Sequence, residues 1–238
     1  MIKRGVCIVG AHAGCLSGLE KEREQGLDLW GLNSVYFAMW QMQISSREDF
    51  TRWFQIHPWE ILLARPDIQP HLDWLATCGM PVYLNEAQSE IPTGVRYPRE
   101  EVTKTIGSNY FEVNTIAYMI ALAIHEGFGK IKLYGINLGP TDLGDSYARP
   151  PVEYLLGFAR GRGISIWVHP NSSLLKADLY AQVIDPSYVA LHKAIDLLRA
   201  TSERLKYSDE KLRLDQGITA LESLYLPLVR DKANGSQS

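Results

Sequence analysis

The sequence predicts an α/β fold of the Rossmann-like kind, a mainly parallel sheet with helices on both faces, followed by a helical C-terminal extension. Three observations carry this. Short apolar segments alternate with helical ones from Val6 to His169. The apolar segments lack the period-two alternation of a sheet wetted on one side, so both faces are covered. From Pro186 onward the chain is charged, periodic and helical, with no further strand segment.

The first strand is "VCIVG" (Val6 to Gly10), and the small-residue turn "AHAGCLSG" follows it. "LDLWGLN" (Leu27 to Asn33) is the second strand and "RWFQIH" (Arg52 to His57) the third. "PDIQPHLDWLATCG" reads as a helix ended by Gly79, before a fourth strand, "PVYLN" (Pro81 to Asn85). A helix over 113–126 stops at Gly127 and leads to the fifth strand, "KIKLYGIN" (Lys130 to Asn137). "PPVEYLLGFARGRG" predicts a helix begun by Pro150 and Pro151, and "ISIWVH" (Ile164 to His169) a sixth strand. The expected division is a catalytic domain over 1–185 and a helical extension over 186–238, with a frayed tail, "KANGSQS".

Composition excludes several classes. The 238 residues, 46% apolar and 21% charged, describe an ordinary globular chain. A net charge of −3 gives no global field for nucleic acid, so a nucleic-acid acceptor has no support from charge. The longest apolar run, near Tyr118 to Ile124, is far short of the roughly 20 residues of a membrane span. The opening "MIKRGVCIVG" enters a strand at once, and a cytoplasmic location is expected. Cys7, Cys15 and Cys78 form no CxxC and no metal spacing and read as reduced thiols.

In open parallel sheets ligands bind beyond the carboxyl ends of the strands. The residues there are Gly10, Ala11 and His12; Asn33 and Ser34; His57 and Pro58; Asn85 and Glu86; Asn137 to Thr141; and His169 to Ser173, including Asn171 and Ser172. This set is rich in asparagine and short of carboxylates, which favours recognition of a nucleotide or sugar over a tightly held metal. The turn after the first strand is neither GxGxxG nor a P-loop. Its small residues either let amides approach a phosphate or simply make a tight turn. Asn114 and Thr115 cap the helix over 113–126, or receive a phosphate at its positive end. His71 and His125, inside helices, read as structural. Arg96, Arg99 and Lys104 are candidates for acceptor contacts or belong to a solvated charged face.

Several blocks, in order, resemble the bacterial lipooligosaccharide sialyltransferases. "YMIALAIHEGFGKIKLYGIN" is similar to that family's core helix and strand, "VCIVGAHAGCLSG" to its glycine-rich first loop, and "LWGLNSVYF" to its second strand. "WFQIHPWEIL" and "VEYLLGFARGRGISIWVHPNSSLL" resemble later blocks, so the likeness runs from Val6 to about Tyr180. The same core also resembles 6-hydroxymethylpterin pyrophosphokinase-like proteins. The first resemblance implies inverting, metal-independent transfer from a nucleotide-sugar co-substrate to a hydroxyl acceptor, with no tightly bound cofactor. It implies that Gly10 and Ala11 approach the nucleotide, that Asn33 faces phosphate or sugar, and that His57 stands where the family has asparagine. Asn114 and Thr115 replace a Thr-Ser pair, and Tyr147 stands in for a lid tyrosine.

The family's lid histidine has no counterpart in "LGPTDLGDSYARPPVEY", and Asn137 replaces the Asp of "GID". Candidate bases are therefore Asp142, Asp145 and His169, with His12 as base or phosphate ligand. Arg149 is a candidate to neutralise a leaving phosphate. The rival readings are an ATP- and Mg²⁺-dependent pyrophosphokinase-like phosphotransferase, with Asp142 or Asp145 as a ligand, and a non-catalytic nucleotide-binding protein. The mixed charge of the C-terminal helices suggests a homo-oligomer.

Overall fold

A computed structural model describes residues 4–37, 47–139, 143–176, 186–204, 213–219 and 221. Asp142 and the tail 232–238 lie outside these, as do the side chain of Asp145 and those of some other residues. The chain divides into two compact units, residues 1–176 and 177–238.

The first unit holds one seven-stranded sheet, every neighbouring pair parallel. In chain order its strands are β1 (Gly5–Val9), β2 (Asp28–Leu32), β3 (Arg52–Gln55), β4 (Val82–Leu84), β5 (Gly94–Arg96), β6 (Lys130–Tyr134) and β7 (Ser165–Val168). Across the sheet they run β5-β4-β3-β2-β1-β6-β7, so the order reverses between β1 and β6. The helices are α1 (Leu19–Glu24), α2 (Trp59–Leu63), α3 (Gln69–Thr77), α4 (Arg99–Ile106), α5 (Thr115–His125) and α6 (Leu143–Gly161). The Rossmann-like α/β reading of the sequence is thus the fold of this unit. In the second unit, α7 (Pro186–Arg204) and the helical residues 213–219 agree with the helical pattern read from Pro186 onward. Among the described residues no helix is long and apolar enough to cross a membrane.

Two faces of the sheet are covered by different means. On the face of Ile8, Trp30 and Arg52, the apolar helix α5 lies across β1 and β3 and buries every residue from Ala117 to Ile124. Arg52 pairs there with Glu126 at 2.5 Å and stacks over the Trp30 ring. On the opposite face α1 is only six residues long, and Glu22 anchors it. Its buried carboxylate meets Lys132 Nζ at 2.6 Å and accepts from the Tyr134 hydroxyl at 2.7 Å. Desolvation of these charges offsets most of their attraction, so the pair fixes position more than it adds stability. Gly31 on β2 is required by Trp53 on β3: a Cβ there would stand 2.0 Å from the indole. That indole packs on Phe50 and Trp74 and donates from its Nε1 to the Asn33 carbonyl at 2.9 Å.

Three elements differ from the sequence reading. β5 and α4 occupy a stretch read as a charge run. Two of its cations are paired, Arg96 with Glu86 at 3.0 Å and Arg99 with Glu112 at 3.4 Å. The helix expected to begin at Pro150 begins instead at Leu143 and carries Pro150 and Pro151 inside it. The amide of Asn114 meets this helix, donating to the Ala148 carbonyl at 3.0 Å.

Candidate functional site

The carboxyl ends of the strands carry two separate groups of polar side chains. The first lies where strand order reverses, between β1 and β6, the usual binding crevice of such sheets. Here backbone closes it. Gly10 N donates to Tyr134 O at 2.8 Å, His12 N to Gly135 O at 2.8 Å, and Gly135 N to Cys15 O at 2.7 Å. A Cβ on Gly10 would stand 2.4 Å from Gly135 O, and one on Gly135, at φ 61°, would stand 2.0 Å from Gly10 O. Both glycines therefore serve a close approach between two loops of the chain itself.

The side chains around this mouth bond to one another. Asn137 donates to His12 Nε2 at 3.2 Å and accepts from Ser173 N at 2.7 Å. Asn171 donates to Gly14 O at 2.8 Å. His169 is buried beside Tyr134 and Trp167. Its Nδ1 accepts from Asn171 N at 3.1 Å, so the proton sits on Nε2 and is donated to Ser17 Oγ at 2.9 Å. An imidazole with both nitrogens engaged in this way has no lone pair for an acceptor hydroxyl. Ser172 is buried, and its Oγ accepts from Leu174 N at 3.2 Å. Arg149 spends its guanidinium on the carbonyls of Ser173 at 2.9 Å and Lys176 at 2.8 Å, and pairs with Glu153 at 2.9 Å. Asn114 Oδ1 caps α5 by accepting from Ala117 N at 3.0 Å, and Thr115 is buried. Ala11 and His12 are exposed, and Tyr147, on α6, is 75% exposed. Asp145 lies in the first turn of α6.

The second group surrounds a cleft of about 370 Å³ at the ends of β2 and β3. Asn33, Ser34, Gln55, Arg65, Pro66, Asp67, Ile68 and His71 line it. Asn33 holds a left-handed backbone, φ 48°, unusual outside glycine. Its N donates to Phe54 O at 2.8 Å, its carbonyl receives the Trp53 indole, and its Oδ1 is buried with no hydrogen-bond partner. Such an orphan costs about 1–3 kcal/mol. A ligand donor that reached this oxygen would remove the cost of the unmet acceptor. Among the described residues the Arg65 side chain has no ion-pair or hydrogen-bond partner.

Behind the cleft runs a hydrogen-bonded chain. Gln55, 1% exposed, accepts at Oε1 from His71 Nε2 at 2.9 Å, and donates from Nε2 to His57 Nδ1 at 2.9 Å. With Nε2 protonated, His71 Nδ1 is an acceptor and receives the Tyr36 hydroxyl at 3.1 Å. Burial, reinforced by Arg65 and His57, holds His71 down at a pKa of about 4. Burial and then Arg65 also lower the His57 pKa. Both rings are thus neutral near pH 7.

Of the residues read from sequence, then, Asn33 and His57 belong to the cleft region, and His12, Asn137, His169, Asn171 and Ser172 to the closed mouth. Thr115 lines neither. The reading missed Gln55, Arg65 and Asp67, and treated His71 as structural. A glutamine ending a strand two residues before a histidine was the available signal. Among the described residues no group of three or more His, Cys, Asp or Glu side chains is placed to hold a metal ion.

No family model matches the sequence, and no curated protein matches it either. Among solved structures, the chain is similar to that of the sialyltransferase CstII from Campylobacter jejuni in complex with a substrate analogue, cytidine-5'-monophosphate. Identity is 16% and the TM-score 0.39, over 80% of this chain and 98% of that one.

Proposed function

We propose that the chain is a glycosyltransferase of the sialyltransferase-like kind, moving a sugar from a nucleotide-sugar donor to a hydroxyl acceptor with inversion and without a bound metal. The observation that carries it is the cleft at β2 and β3. It combines an orphan acceptor on Asn33, an unpaired guanidinium on Arg65, the Ser34 hydroxyl and the Asp67 carboxylate. A nucleotide sugar offers the complements, sugar hydroxyls that donate and phosphate oxygens that accept. The resemblance of the sequence blocks to lipooligosaccharide sialyltransferases supports the same reading.

In this reading the Asn33 side chain turns its Oδ1, buried in the free chain, to accept from a donor-sugar or ribose hydroxyl, and Arg65 neutralises the phosphate. The acceptor oxygen attacks the anomeric carbon, the bond from that carbon to the phosphate oxygen breaks, and the nucleotide leaves with the electron pair. Asp67, the carboxylate among the lining residues, takes the acceptor proton, in place of the lid histidine that the sequence lacks. His169, with both ring nitrogens engaged, orders the loop after β7, as does Arg149. Asp145 and Tyr147, on α6, are assigned to contacts with parts of the acceptor remote from its reacting hydroxyl. Placement of donor and acceptor and stabilisation of the leaving phosphate supply the rate.

A thermal-shift series with cytidine, uridine, guanosine and adenosine nucleotides, with and without Mg²⁺, tests this. A pyrimidine nucleotide should raise the melting temperature without Mg²⁺, by mass action on the folded state, and Arg65→Ala should abolish the rise. Stabilisation by ATP only when Mg²⁺ is present would replace the proposal with phosphotransfer.

A further inference from the structure

The chain Tyr36–His71–Gln55–His57 has more order than binding in the cleft demands. Three of its four members are buried, yet each polar group along it has one role fixed by its neighbour. Gln55 Oε1 can only accept, so the His71 proton sits on Nε2 and the His71 Nδ1 lone pair receives the Tyr36 hydroxyl. The Gln55 Nε2 amide faces His57. That amide can only donate, so His57 Nδ1 can only accept, and its proton is forced onto Nε2. Among the described residues His57 Nε2 has no partner, and it is not among the buried unpartnered atoms, so it opens to solvent. A histidine in solution divides its proton between both nitrogens and titrates near neutrality. This one is held in a single tautomer by packing.

We propose that Tyr36, His71 and Gln55 are positioning residues that fix His57 as a neutral Nε2–H hydrogen-bond donor, directed at a phosphate oxygen of the ligand in the adjoining cleft. The inference rests on the nucleotide-sugar reading for the identity of that ligand. It assigns His57 the task of a donor, which a base could not share, because the only lone pair of its ring is taken by Gln55. His57 adjoins the cleft through its bond to Gln55; the charged and titratable groups that line the cleft are Arg65 and Asp67 on the loop before α3 and His71 on α3, and Tyr36 closes the far end of the chain. A neutral donor beside the fixed Arg65 charge makes anion binding indifferent to pH where an ordinary histidine would make it fall. The wild-type affinity for the methyl ester of cytidine 5'-monophosphate, a phosphodiester that does not titrate near neutrality, should then vary less between pH 6.5 and 8.5 than it would beside an ordinary histidine.

Imidazole nitrogen spectra of the whole chain, without ligand and then with that ester or with inorganic phosphate, test the inference directly. The expected result is an Nε2-protonated His57 in the free protein, whose Nε2–H resonance moves on addition of either probe. Gln55→Glu supplies the second arm. A carboxylate accepts from both rings, so His57 turns its proton to Nδ1 and offers a lone pair to the ligand at high pH. Affinity for the ester should fall about tenfold at pH 8.5 and recover near pH 6 as the imidazolium forms. If His57 carries its proton on Nδ1, or titrates like a free histidine, the inference is overturned, whether or not the variant folds. If the ester binds while His57 does not respond, the inference falls and the nucleotide-sugar reading stands. If phosphate moves His57 and the ester does not, the donor role stands and the nucleotide-sugar reading falls.

Discussion

The two ends of polar machinery in this molecule, the mouth between β1 and β6 and the cleft beyond β2 and β3, are built from similar residues and differ in what those residues have left over. At the mouth, His12, Asn137, Asn171, His169 and Arg149 spend their hydrogen bonds on each other and on loop carbonyls. At the cleft, Asn33 Oδ1 and the Arg65 guanidinium are unspent. Polar side chains at a strand end are therefore not evidence of a ligand by themselves. A buried one left unsatisfied, as Asn33 Oδ1 is, is the stronger indication.

The comparison can be broken or sharpened experimentally. The largest effect belongs to the mouth. Gly135→Ala drives a methyl into the Gly10 carbonyl at a positive φ, and should destabilise the fold by at least about 3 kcal/mol, read by chemical denaturation. Next comes acid sensitivity from the cleft. The folded pKa of His71, about 4, lies below its unfolded value of 6.5, so the unfolded chain binds the extra proton. Stability should decline as pH falls below about 6.5 and level off below about 4, by roughly 3 kcal/mol in all, and His71→Asn should flatten that slope. A third contrast pairs two arginines. Arg149→Ala should cost about 2 kcal/mol of stability, because carbonyls and a carboxylate lose their donor. Arg65→Ala should stay within about 0.5 kcal/mol of wild type and instead lose nucleotide binding. The smallest effect is the most diagnostic. Asn33→Gly removes both the left-handed strain and the orphan oxygen, and should be neutral or stabilising by about 1 kcal/mol while it weakens binding. A destabilised glycine variant would mean that Asn33 is there for the fold.

The sheet was legible because buried parallel strands are written as apolar runs, and six of its seven strands appear in the sequence as such. β5 does not: "GVR" is three residues long and half polar, and only its pairing with β4 makes it a strand. α4 was legible in principle, from Glu100 and Glu101 in its first turn and Gly107 at φ 82° beyond its end, but its charge masked it. Pro150 and Pro151 misled, since proline at a first turn is the commoner arrangement. The candidate site divided along a similar line. Asn33 and His57 were read from their position at strand ends, and the structure sets Asn33 in the cleft wall and His57 beside it. His71 was not, because its link to Gln55 depends on how α3 settles against β3, and no local spacing encodes that.

The three cysteines, Cys7 on β1, Cys15 in the loop after it and Cys78 at the end of α3, are all buried and unbridged. Burial, with Glu22 close by, pushes the Cys7 thiol up to about 12, and burial raises Cys15 as well. Nucleophilic attack requires the thiolate, so neither sulfur reacts with an alkylating reagent while its surroundings stay closed. The chain thereby contains its own clock for local opening. Pulsed alkylation followed by mass measurement would rank how often the sheet centre, the first loop and the wall of α3 breathe, with no label added to the native sequence.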